Sequence, residues 1–125
     1  MKNQHLKGTK RLIAAFWNSV AGFRDIWRSE EAFRLELLIF VISIPVALVV
    51  GPNAVWAALM VLSLLFVVIV EILNTAIEAV VDRIGTERHE LSRIAKDLGS
   101  LAVLLSCLFP VIIWAMALYK SIASE

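Results

Sequence analysis

Residues Leu37 to Val70 read LLIFVISIPVALVVGPNAVWAALMVLSLLFVVIV, 34 consecutive positions without one formal charge. One helix needs only about 20 residues to cross a hydrocarbon core, so this run is either a single overlong span or two spans joined by a tight turn. Gly51-Pro52-Asn53 decides between them, because that tripeptide is a turn signal. The first span is therefore expected over about 32–50, and a second helix begins near Ala54. Pro45 removes one backbone donor from the first span, a loss that a membrane helix tolerates when neighbours satisfy the freed carbonyl. The second helix meets no stop before Gly85 and is read as a span over about 54–82; its last turns project beyond a ~30 Å core at ~1.5 Å per residue. After a polar connector, Leu98 to Tyr119 supplies 22 more uncharged residues and a third span over about 98–119, which Pro110 is placed to bend.

Composition agrees with this reading. The chain has 125 residues, 60% of them apolar and 18% charged, against about 45–50% and about 25% in a soluble domain. The mean hydropathy is +0.83. Twelve basic residues against 11 acidic ones give a net charge of +1, which excludes a nucleic-acid binder. The single Cys107 cannot form an internal disulfide and is expected as an inert buried thiol. The whole of 1–125 is read as a single all-α membrane domain without repeats.

The N-terminal 36 residues are mixed and basic, which is not the plan of a signal peptide. Leu12, Phe16, Val20, Phe23 and Trp27 recur at intervals of four, four, three and four, an apolar stripe on an amphipathic helix over about 6–28. Trp17 and Trp27 beside Arg and Lys suit a helix lying in the membrane interface. Lys2, Lys7, Lys10, Arg11, Arg24, Arg28 and Arg34 precede the first span, and Arg83, Arg88, Arg93 and Lys96 lie in the second connector, whereas the Gly51 turn has no cation. The positive-inside rule then puts the N-terminus and the second connector in the cytoplasm and the Lys120 to Glu125 tail outside.

The second helix also carries the candidate chemistry. After 17 uncharged residues it places Glu71, Asn74, Glu78 and Asp82 at spacings of three, four and four. At about 100° per residue the acidic side chains fall within about 20° of Glu71, and Asn74 lies about 60° to one side, so the four form one polar stripe. Carboxylates beside lipid are costly and mark function. Glu30, Glu31 and Glu36, where the amphipathic segment meets the first span, add hard oxygen donors at the same depth. Magnesium takes one or two protein carboxylates, keeps waters and bridges substrate phosphates, which matches this supply; no Cys or His spacing suits zinc. Lys96-Asp97 precedes the third span, where Asp97 would favour the helix start and Lys96 would snorkel or hold a phosphate.

The stretch EILNTAIEAVVDRIG (Glu71 to Gly85), followed by Glu87-Arg-His89-Glu-Leu-Ser92 and Ala95-Lys96-Asp97-Leu-Gly99-Ser100, resembles the bacterial diacylglycerol kinase family, small integral-membrane type. Glu30-Glu-Ala-Phe-Arg34-Leu-Glu36 resembles its N-terminal motif and points to the diacylglycerol branch rather than the undecaprenol branch. The resemblance implies an inner-membrane homotrimer with shared active sites that makes phosphatidic acid from diacylglycerol and ATP. It further implies Glu71 as the general base with Asn74 beside it and Glu30 and Glu78 as the metal ligands. Arg11, Asn18, Glu87, His89, Lys96 and Asp97 are implied as nucleotide contacts, with the two metal ligands belonging to the same set. Arg11, Arg34, Glu36, Glu71, Ser100 and Trp114 are implied around the lipid. Near Asn18 the family's better-known members carry a tyrosine; Asn18 can hydrogen-bond but has no aromatic face. A small ion-coupled transporter is the competing class, disfavoured because the acidic stripe clusters at one membrane face rather than at mid-bilayer.

Overall fold

The structure, a computed structural model, describes residues 5–124; Lys2 and Glu125 lie outside the described residues. Among these residues the architecture is all-helical: α1 Thr9–Ser29, α2 Glu31–Val50, α3 Ala54–Ile84, α4 Glu90–Ser106 and α5 Leu108–Ala123. The chain divides into two compact units, with the boundary in sequence between Glu31 and Ala32.

The N-terminal unit is α1. Leu12, Phe16, Trp17, Phe23 and Trp27 are all exposed, as an apolar stripe intended for lipid requires. Phe23 and Trp27, one turn apart, stack with ring centroids 5.9 Å apart. The helix ends at Ser29, and Glu30 is extended (φ −117°, ψ 107°), with its N–H donating to the Ile26 carbonyl.

Three helical stretches, all in the second unit but for Glu31 at the start of the first stretch, are long and apolar enough to cross a membrane: Glu31–Val50, Ala54–Ile84 and Glu90–Ala123. α2 runs unbroken through Pro45. Gly51 turns the chain, and the Asn53 side chain caps α3 by accepting from the Trp56 N–H at 3.0 Å. α3 then continues for 31 residues, about 46 Å at ~1.5 Å per residue. The core is small: Ala47, Ala57, Met60 and Ala117 pack with Trp56, Ile113 and Trp114 around them. Val49 is 83% exposed and Leu48 71%, a surface only a bilayer or protein partners would accept.

The third transmembrane stretch differs from the sequence reading at both its start and its middle. α4 begins at Glu90, not Leu98. The His89 Nδ1 accepts the Leu91 N–H at 3.1 Å, and Arg93 bonds Glu90 one turn before it and Asp97 one turn after it, a charge ladder at i,i+3 and i,i+4 spacing that supports helix ahead of the apolar run. Asp97 is thus inside the helix and does not act at its start. The second difference is a break at Cys107. Pro110 has no N–H for the Ser106 carbonyl, and its ring crowds that carbonyl. The Cys107 N–H is shared between the Val103 and Leu104 carbonyls, each at 3.2 Å, which tightens the last turn of α4.

Candidate active site

The polar stripe of α3 grades from buried to exposed. Glu71 and Asn74 are 8% and 9% exposed, Glu78 is half-buried and Asp82 is exposed. One helix therefore carries carboxylates from the interior of the bundle to its exposed end, about 16 Å from Glu71 to Asp82 at ~1.5 Å per residue. The Asn74 Nδ2 donates to Glu78 Oε1 at 3.5 Å. Asn74 Oδ1, Thr75 Oγ1 and Glu36 Oε2 are buried without a hydrogen-bond partner among the described residues. Buried polar atoms left unsatisfied cost free energy, so each of these would gain from a polar partner.

The exposed end of the stripe opens onto a cavity of about 570 Å³ around the α3–α4 connector. Asp82, Glu87, His89, Ser92, Arg93 and Lys96 line it. Lys96 Nζ lies 2.7 Å from Asp82 Oδ1, with the two side chains 43% and 62% exposed. An ion pair that exposed contributes little to stability, so the pairing with Asp82 does not tie the Lys96 ammonium down. Arg93 Nη1 donates to Asp97 Oδ2 at 2.7 Å, fixing the Asp97 carboxylate on α4.

The other sequence candidates are distributed as follows. Arg34 and Glu36 are half-buried near the start of α2, and Ser100 is exposed on α4. Trp114 is remote from the stripe's carboxylates: its indole N–H donates to the Met60 carbonyl at 3.0 Å, 11 residues and about 16 Å along α3 from Glu71. It borders a second, apolar cavity of about 550 Å³ with Ile39, Ser43, Leu64, Cys107 and Pro110. In the N-terminal unit Arg11 and Asn18 are exposed on α1 and Glu30 is half-buried. Two residues of this region were missed by sequence reasoning. Arg93 was signalled by the Glu90, Arg93, Asp97 spacing. Gly99 was signalled by a glycine inside a helix, which costs about 1 kcal/mol against alanine and therefore points to a packing role.

Among the described residues no three or more His, Cys, Asp or Glu side chains gather into a group able to hold a metal ion. The donor set nonetheless suits a hard cation whose remaining ligands are substrate phosphates and water: Glu78 keeps carboxylate lone pairs beyond its one long bond from Asn74.

Comparison with known proteins gives this arrangement a family. Residues 17–118 match the model of the prokaryotic diacylglycerol kinase family. The chain belongs to the prokaryotic diacylglycerol kinase family. Among its relatives, the diacylglycerol kinase of Escherichia coli K12 is 46% identical over 113 residues, covering 90% of this chain and 93% of the relative. That of Pseudomonas aeruginosa is 44% identical over 111 residues, covering 89% and 90%, and that of Helicobacter pylori 26695 is 36% identical over 116 residues, covering 90% and 91%. As a prokaryotic diacylglycerol kinase family member the chain is a lipid kinase, a transferase with a nucleotide-dependent reaction. The whole polar stripe and the connector cavity lie inside the matched residues.

Proposed function

We propose that this lipid kinase transfers the γ-phosphate of ATP to the free hydroxyl of diacylglycerol, giving phosphatidic acid at the cytoplasmic face of the bacterial inner membrane. The observation that carries the reading is the continuity of the α3 stripe: one helix bears a buried carboxylate at Glu71, the Asn74–Glu78 hydrogen bond and then Asp82, which borders a cavity lined by Lys96, Arg93 and Glu87. A membrane lipid with its hydroxyl near the interface can meet the buried end while a water-soluble nucleotide enters at the other.

In this reading Glu71 takes the proton as the lipid oxygen attacks. The new bond joins that oxygen to the γ-phosphorus, the bond from the γ-phosphorus to the β,γ-bridging oxygen breaks, and ADP leaves. Asn74 orients the base side of the site. Lys96, with Arg11, Asn18, Glu87, His89 and Asp97, contacts the nucleotide. Glu30 and Glu78 are the carboxylates that would hold magnesium, which supplies charge neutralisation on the triphosphate. Arg34, Glu36 and Ser100, together with Arg11, receive the polar end of the lipid, and Trp114, deep in the bundle, meets its acyl chains. The α1 stripe lies in the interface, and a homotrimer with shared sites supplies the walls that one small protomer lacks.

Phosphoryl transfer asks chiefly for positioning and electrostatic stabilisation, and this set supplies both. The test is transfer of radiolabelled phosphate from ATP, with magnesium, to short-chain diacylglycerol and to undecaprenol in parallel micelles. Label in diacylglycerol supports the reading; label in undecaprenol alone moves the substrate, and label in neither rejects a kinase of these lipids.

A further inference from the structure

Gly99 lies in the body of α4, where its backbone is helical and glycine brings no conformational advantage. Its value is in what it leaves out. A Cβ placed on Gly99 would fall 2.0 Å from Asn74 Oδ1 and 3.1 Å from Asn74 Cγ. Both residues are buried, and α3 and α4 approach closely here because one of them has no side chain. The atom that would be struck is the end of the Asn74 carboxamide, while Asn74 Cβ stays at an ordinary 3.9 Å. A methyl group at position 99 would therefore turn the carboxamide aside rather than force the helices apart. The same carboxamide donates through Nδ2 to Glu78 Oε1, so turning it removes that bond.

We propose that Gly99 is a positioning residue for phosphoryl transfer: by lacking a side chain it holds the Asn74 carboxamide in the orientation that addresses Glu78. The inference rests on the reading above, in which Glu78 takes part in holding the metal and nucleotide. Gly99 touches no reacting atom. It acts through Asn74, and a displacement on the order of 1 Å at such a group is enough to lower turnover by about 100-fold.

The experiment uses the full chain in lipid micelles. Gly99→Ala is expected to lower kcat by about 100-fold, raise the magnesium concentration needed for half-maximal rate, and leave the thermal unfolding midpoint and oligomeric state unchanged. With asparagine labelled in ¹⁵N, the Asn74 side-chain amide signal, assigned by its loss in Asn74→Ala, is expected to move in Gly99→Ala. Adding Gly99→Ala to Asn74→Ala is expected to cause no further loss, because the group it displaces is gone. Unchanged turnover, an unmoved amide signal, an unaltered magnesium requirement, a near-normal Asn74→Ala enzyme, losses that multiply in the double variant, or a loss matched by lowered stability would each overturn the proposal. If the unmodified chain labels neither lipid, the functional reading fails by itself, and the amide signal still decides whether Gly99 orients Asn74.

Discussion

The indole N–H of Trp114 donates to the backbone carbonyl of Met60 at 3.0 Å, joining α5 to α3 across 54 residues of sequence. The Met60 carbonyl sits within a helix and also accepts the Ser63 hydroxyl at 2.6 Å, so the indole is a further donor to an engaged acceptor rather than the repair of a defect. Its effect is to fix the angle at which α5, freed from α4 by the break at Cys107, lies against the core of Ala47, Ala57, Met60 and Ala117. Trp114→Phe keeps most of the ring and removes the donor. It is expected to destabilise the protein by about 0.6–2 kcal/mol, the range for hydrogen bonds between transmembrane helices, measured as a lowered unfolding midpoint in micelles.

The turn between the first two spans depends on the absence of a side chain at Gly51. A Cβ there would stand 2.6 Å from the Ala47 carbonyl oxygen and 3.3 Å from the Ala57 nitrogen, both backbone atoms. Neither can swing away, so Gly51→Ala must shift a helix end. A loss of about 1–3 kcal/mol is expected, read from thermal unfolding; unchanged stability would show that the turn relaxes freely.

Removing the base should stop the chemistry and spare the fold. Glu71→Gln preserves the size and burial of the side chain while giving up the carboxylate. Turnover with ATP, magnesium and diacylglycerol is expected to fall by about 10²–10⁴-fold, the usual worth of general base catalysis. Near-normal transfer of label would remove Glu71 from that role.

Glu78 tests the metal side of the reading. Glu78→Ala removes one half-buried carboxylate from the end of the stripe and no large packing surface. Activity is expected to drop through a raised requirement for magnesium and ATP, with the same unfolding midpoint and the same oligomer. A variant that loses its assembly would point instead to a structural carboxylate.

How far the sequence could be read follows from the physics of each feature. The spans were legible because a bilayer imposes a length and an apolar content that no other environment demands. The α3 stripe was legible because helical periodicity is local: four polar residues at three- and four-residue spacing share a face whatever the rest of the chain does. The start of α4 was misread because charge was taken to mark a connector, whereas Glu90, Arg93 and Asp97 pair along a helix and His89 caps it. Lys96 illustrates the same limit. Its position beside the third span was visible, but its pairing with Asp82 depends on how α3 and α4 pack.

The sequence by itself therefore determined the medium, the number of spans, the helix that carries the carboxylates and the family, since each is written in composition, periodicity or contiguous motif. Only the tertiary structure decided which helices touch and how closely. Asn74 and Gly99 are 25 positions apart, and nothing in their identities announces that one occupies the space the other leaves empty. Trp114 was read as a lipid contact, and only the packing of α5 on α3 gives its indole N–H to Met60. Contacts between helices arise when two surfaces are brought to a particular distance and rotation, and that information is spread over all the residues that pack them.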